Sequence, residues 1–188
     1  MVNVGEFDQN DKKYFYLNVI HIKLAARFVV ALQCIIIIIN LIYSMTRTST
    51  IMLYSWVIST FAIGLIGSLI YGVYKEKRHF VIPYLIYQLS SICLTILIFF
   101  VFTIGASLSH SMLSTLAYDF GAIDVNQPID DLNKELHTFT IVTIILIAMA
   151  FIYQLFSFHV IYEFQKFLKN RESNFDFPAT SEMDMSIA

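Results

Sequence analysis

Four side-chain amides, Gln33, Asn40, Gln88 and Gln154, sit inside the long apolar stretches of this 188-residue chain. An amide without a partner in hydrocarbon is costly, so each must find a hydrogen bond. Bonds between neighbouring helices are the plain expectation. The alternative is that the amides line a path for a solute or lipid. Carboxylates are missing from the same stretches: no Asp or Glu falls within them. Pumps driven by protons or cations place a titratable group at mid-depth, so this absence argues against one. Arg27 is the one charge inside, a turn from the start of its stretch, where a long side chain reaches the headgroups. His159 lies near the end of the last stretch and reads as an interfacial histidine rather than a proton relay.

Outside these stretches, His110, Asp119, Asp124, Asp130, Asp131, Glu135 and His137 are of metal-ligating type. Their spacing matches no zinc or calcium loop, so they read as solvated charge, and no metal or cofactor is expected. There is no Gly-x-Ser-x-Gly, no Cys-x-x-Cys and no phosphate-cradling glycine loop. No catalytic residue is predicted and the chain is expected not to be an enzyme. Cys34 and Cys93 both fall mid-stretch, so neither can staple an outer loop, and no glycosylation sequon is present.

The elements that carry these residues follow from composition. Apolar residues make up 57% of the chain and charged ones 14%, more apolar content than a soluble domain needs. The net charge of -2 offers no basic field for nucleic acid. Four stretches, about 24–43, 51–74, 80–104 and 138–162, each have the ~20 residues that a helix needs to cross ~30 Å of hydrocarbon. The unbroken run Ile35 to Ile39 lacks the alternation of a β-barrel strand. The expected fold class is an all-α membrane protein with four transmembrane helices. Ten Lys and Arg flank one side (Lys12, Lys13, Lys23, Arg27, Lys75, Lys77, Arg78, Lys166, Lys169, Arg171) and two flank the other (Arg47, Lys134). That asymmetry predicts both termini in the cytoplasm and a 33-residue lumenal or extracellular loop at 105–137. The first span begins too far from Met1 for a cleaved leader and reads as a signal anchor.

The domain plan is then a cytoplasmic tail over 1–23, a transmembrane domain over 24–162 and a cytoplasmic tail over 163–188. From Glu172 onward the last tail has four acids and no base, and it is predicted to be disordered after about 171. In the long outer loop Ile104, Leu108, Met112, Leu116 and Phe120 recur every fourth residue, which predicts a helical face, stopped by Gly121. Asp130 and Asp131 suit the first turn of the helix entering the fourth span. Gly64, Ser68 and Gly72 form a small-residue strip where a second helix can approach, one of this chain in preference to a foreign one. Tyr14 with Leu17 and Tyr16 with Val19 have the tyrosine-x-x-bulky form of a sorting signal, and Ser186-Ile187-Ala188 could offer a terminal carboxylate.

Several short motifs, in order, resemble the lysosomal-associated protein transmembrane family of small four-span proteins. They are His21-Ile22-Lys23, Leu69-Ile70-Tyr71-Gly72, Val81-Ile82-Pro83-Tyr84 with Tyr87, Asp130-Asp131-Leu132 and Lys166-Phe167-Leu168-Lys169-Asn170-Arg171. The resemblance spans residues 21 to 171. The first lumenal loop is shorter than the family's, and the Pro-Tyr motifs that recruit ubiquitin ligases are absent, Pro178 being the last tail's only proline. Pro83 is expected in the first turn of its helix, with Tyr71 and Tyr84 flanking the inner interface. The resemblance implies a non-enzymatic accessory or adaptor in the lysosome, the late endosome or the plasma membrane. Such a protein modulates the trafficking, stability or activity of its partner. That partner would be an integral membrane protein (a channel, receptor or transporter) or a second copy, alongside membrane lipids and without nucleic acid. Two other functions are carried forward: a small-molecule or lipid transporter or binder, and an auxiliary subunit of an ion channel.

Overall fold

The computed structural model describes residues 15–16, 20–121, 123 and 128–185, with side chains from Ile20 onward and as far as Glu172. Two-residue strands β1 (Phe15–Tyr16) and β2 (Ile20–His21) pair antiparallel, with Phe15 opposite His21 and Tyr16 opposite Ile20. Five helices follow: α1 (Ile22–Ser44), α2 (Ser49–Tyr74), α3 (Arg78–Leu108), α4 (His110–Gly121) and α5 (Ile129–Met185). Helices α1, α2, α3 and the Ile129–Glu172 part of α5 are long and apolar enough to cross a membrane. They pack in a ring in which α1 touches α2 and α5, and α3 touches α2 and α5. This is an up-down-up-down bundle.

The exterior explains why these helices need hydrocarbon. Ile35, Ile38, Ile39 and Ile42 on α1 face outward, as do Leu53, Val57 and Phe61 on α2 and Leu94, Leu97 and Phe100 on α3. Water would not tolerate a belt of this size on a stable monomer. The tight core instead occupies one end of the bundle, beside the turn from α2 to α3. There Ala26, Val29, Leu69, Val73, Val81, Tyr84, Val160, Ile161, Phe164 and Leu168 are almost wholly buried. Gly72 makes the close approach possible: a Cβ built on it would lie 2.8 Å from Val81 Cγ2 and 3.2 Å from the backbone of Phe80 and Val81. Ser68 Oγ donates to the Phe80 carbonyl at 2.9 Å, one turn further on.

An ionic clasp covers the same end. Glu76, in the α2–α3 turn with φ 54°, is a non-glycine residue held in the left-handed region. Its carboxylate meets Lys23 Nζ at 2.8 Å and the Arg171 guanidinium, and Arg171 also donates to the Glu76 carbonyl at 2.9 Å. Lys23 lies over the Phe167 ring, while the His21 imidazole caps α1 by accepting from the Lys23 amide. One turn thus binds the start of α1 to the far part of α5.

Several expectations need correction. Helix α3 begins at Arg78, so Pro83 lies in its second turn, where it deprives the His79 carbonyl of an intrahelical donor. Tyr84 does not flank an interface; it is fully buried because Gln33 and Ser157 supply polar partners inside the bundle. Tyr71 is exposed and packs edge-on against Phe80 at 4.7 Å. The four-residue recurrence from Ile104 to Phe120 does not form one face, because the helix breaks at Ser109. Leu113 and Ala117 are the buried side of α4 and pack with Phe102 and Leu136, whereas Leu108 is 82% exposed. The backbone of α5 is helical as far as Met185.

Candidate functional site: an uncharged cavity between the helices

Beyond the tight core the four long helices diverge around a cavity of about 500 Å³. All four amides predicted from the sequence border it: Gln33 and Asn40 from α1, Gln88 from α3 and Gln154 from α5. Ser59 of α2, Tyr87 and Ser91 of α3 and Tyr153 of α5 complete its polar wall; Ile37, Ile66 and Met149 are among the apolar lining. The volume lies within the ~300–1,000 Å³ usual for small-molecule sites.

Each amide is anchored through part of its hydrogen-bonding capacity. Gln33 Nε2 donates to the Tyr84 hydroxyl at 2.7 Å and to Ser157 Oγ at 3.4 Å, and Tyr84 and Ser157 share a bond of 3.0 Å. This triad joins α1, α3 and α5 and forms the floor that separates cavity from core. Asn40 Oδ1 accepts from Ser55 at 2.7 Å and Ser59 at 3.3 Å, tying α1 to α2. Gln88 Nε2 donates to the Gln154 carbonyl at 3.3 Å. Gln154 in turn accepts from Thr95 Oγ1 at 3.0 Å and donates to Ser91 Oγ at 3.3 Å.

The remaining capacity is what a ligand would meet. Gln33 Oε1, Gln88 Oε1 and Asn40 Nδ2 take part in no side-chain bond among the described residues. The Tyr153 hydroxyl is shielded from solvent and lies beside Ser157. Acceptors and donors therefore coexist on the wall, and among the described residues no charged side chain lines it. The arrangement can bind hydroxyl or amide groups; it has no counter-ion for an anion or cation. Arg27, the charge nearest mid-helix, points its guanidinium over the Tyr74 ring at the turn end of the bundle.

The other predicted residues are placed elsewhere. Gly72, Lys23 and His21 belong to the core and clasp, and Asp130 and Asp131 are exposed in the first turn of α5. Gly64 meets nothing within 4 Å and faces outward, so it does not share the close contact made at Gly72. His110 Nε2 pairs with Asn133 Oδ1 at 3.1 Å. No group of three His, Cys, Asp or Glu that could hold a metal occurs among the described residues. Asp124, Tyr14, Leu17, Val19 and the terminal Ser186 to Ala188 lie outside those residues, as does the side chain of Tyr16. Sequence reasoning does not reach Tyr87, Ser91 and Tyr153 as cavity residues. A signal for the first two exists, since Tyr84, Tyr87, Gln88 and Ser91 recur at the i, i+3, i+4, i+7 spacing of a single polar stripe on α3.

Fold and site define a four-helix bundle of membrane-crossing length with a half-open, mostly apolar cavity whose polar groups are uncharged. No protein-family model matches the chain, and searches of curated proteins and of solved structures return no match.

Proposed function

We propose that this chain is an integral membrane protein, with both ends on the cytoplasmic side, that takes a small uncharged molecule or the head of an uncharged amphiphile into its central cavity. It does so without covalent chemistry, as a carrier or binder. The observation that carries this reading is the convergence of Gln33, Asn40, Gln88 and Gln154 on one cavity of about 500 Å³, with hydrogen-bonding capacity left over. The test is thermal unfolding of the purified chain against a panel of uncharged polyols, glycerides and sterols. A ligand at 100 times its Kd adds about 2.7 kcal/mol of stability. A stabilising compound should lose its effect on a Gln33→Leu, Gln88→Leu double variant. A panel without a stabilising compound, or one whose hits ignore the substitutions, refutes the proposal.

A second reading, the accessory or adaptor role, draws support from α2. Gly64 and Gly67 both meet open space on an exposed face beside Phe61 and Ile63, so a foreign helix could approach closely there. Site-directed crosslinking from Gly64 in the native membrane tests it: a discrete adduct lost on Gly67→Leu supports the role, and labelling by lipid alone refutes it.

A further inference from the structure

On the outer side of the seam between α3 and α5 lies a second space, of about 280 Å³, bordered by Thr95, Ile96, Phe99 and Phe100 of α3 and Ile147, Ala148 and Phe151 of α5. Its wall is hydrocarbon: the one hydroxyl, on Thr95, is engaged by the Ser91 carbonyl at 2.9 Å and by Gln154 Oε1 at 3.0 Å. The same Gln154 lines the polar cavity on the inner side of the seam. Cavity and apolar groove thus lie on either side of the packed α3–α5 seam, and between them Gln154 of α5 forms a latch by reaching Thr95 and Ser91 of α3.

We propose that the groove is the chain-binding half of one composite site. Its occupant is a single hydrocarbon chain whose uncharged, hydroxyl-bearing head enters the cavity through the α3–α5 seam. This rests on the cavity being a binding site, as proposed above, and goes further by fixing the ligand class and the path. Three features point to that occupant. The groove can satisfy nothing polar, so it selects hydrocarbon. The cavity offers amide and hydroxyl groups without a countercharge, so a phosphate or ammonium head would be left unpaired at high cost. The latch consists of side-chain hydrogen bonds alone, each a modest contribution in a bilayer, so an incoming hydroxyl can replace them.

The experiment uses the full chain in phosphatidylcholine nanodiscs with three photoreactive probes. Two carry the same diazirine-bearing chain, one ending in glycerol and the other in phosphate; the third is a diazirine-bearing glycerol with no chain. Labelled peptides are mapped by mass spectrometry. The glycerol-headed chain should label residues 95–100 and 147–151 at least about tenfold more than the phosphate-headed one, since a difference of about 1.4 kcal/mol already gives tenfold. Ala148→Trp, which fills the groove from an exposed position, should abolish that labelling while leaving chain-free labelling of the cavity intact. Equal labelling by both chain-bearing probes, or labelling spread evenly over α1 and α2, overturns the proposal. Cavity labelling by the chain-free probe with an unlabelled groove overturns the composite site but spares the cavity. Failure of all three probes at the cavity overturns both.

Discussion

Two glycines of α2, Gly64 and Gly72, should respond to the same substitution with opposite signs. Replacing glycine by alanine inside a helix gains ~1 kcal/mol from backbone entropy wherever the new methyl is free. At Gly64 it is free, since nothing lies within 4 Å. At Gly72 the methyl would stand 2.8 Å from Val81 Cγ2, which can rotate, but also 3.2 Å from the Phe80 carbonyl carbon and the Val81 nitrogen, which cannot. Relieving those backbone contacts means moving the first turns of α3 away from α2, against the Ser68–Phe80 bond and the Glu76 clasp. Overpacking of this kind costs ~1–3 kcal/mol, so it outweighs the propensity gain. Gly72→Ala should therefore destabilise by about 1 kcal/mol net and Gly64→Ala should stabilise by up to about 1 kcal/mol. For a chain of this size the two Tm values should differ by about 4–8 °C, measured by thermal unfolding in one detergent. Adding Val81→Ala to Gly72→Ala should restore only part of the loss, because the backbone contacts remain. Equal Tm values for the two variants, or a Gly72→Ala protein more stable than the parent, would show that the close approach is not what glycine provides at 72.

Other substitutions probe the remaining contacts. Glu76→Gln removes the partner of Lys23 and Arg171 and should destabilise by about 1–2 kcal/mol, with a smaller loss at high salt; an unchanged Tm at both ionic strengths counts against the clasp. Glu76→Gly should lose less than Glu76→Ala, because glycine alone accepts φ 54° without strain, and comparing the two Tm values checks this. Tyr84→Phe and Ser157→Ala should each cost about 1 kcal/mol, and their combination less than the sum, since both belong to the Gln33 triad; a double-mutant cycle reads the coupling. Tyr43→Phe removes the bond from α1 to the Phe120 carbonyl at 2.6 Å and should speed hydrogen exchange in α4 with little change in Tm.

The four spans were legible because length and apolarity are properties of the chain alone, and each predicted stretch lies within a helix of the structure. The amides were legible for a related reason: hydrocarbon forces any polar group to declare a partner. What was not legible depends on how the helices lean together. Tyr84 and Tyr87 are the same residue type on neighbouring turns, yet one is fully buried in the triad and the other borders the cavity. Only the rotation of α3 against α1 and α5 decides between them. The recurrence from Ile104 to Phe120 misled because periodicity is blind to a break; Ser109, with φ -135° and ψ 101°, turns the chain and resets the face that α4 presents. Glu76 gave no signal in the sequence beyond its place in a basic loop, since its left-handed backbone and its two basic partners are separated from it by long intervals of chain.

The distribution of strong contacts along the bundle bears on how the proposed binding would work. At the turn end, interlocked apolar side chains, the Gly72 approach and the Glu76 clasp hold α1, α2, α3 and α5 together. Past the Gln33–Tyr84–Ser157 floor the cavity intervenes, with hydrogen bonds through Asn40, Gln88 and Gln154 linking its walls, before a second apolar cluster around Phe102 and Leu136. Such links can be exchanged for bonds to a ligand at little net cost, whereas opening the core would expose apolar surface and break a clasp at once. Among the described residues no carboxylate borders the cavity, so the proposed binding would have no direct electrostatic link to a proton gradient. Under the proposed function, the direction of any movement is set by the ligand's own concentration, and selectivity by the match between its neutral head and the leftover amide groups.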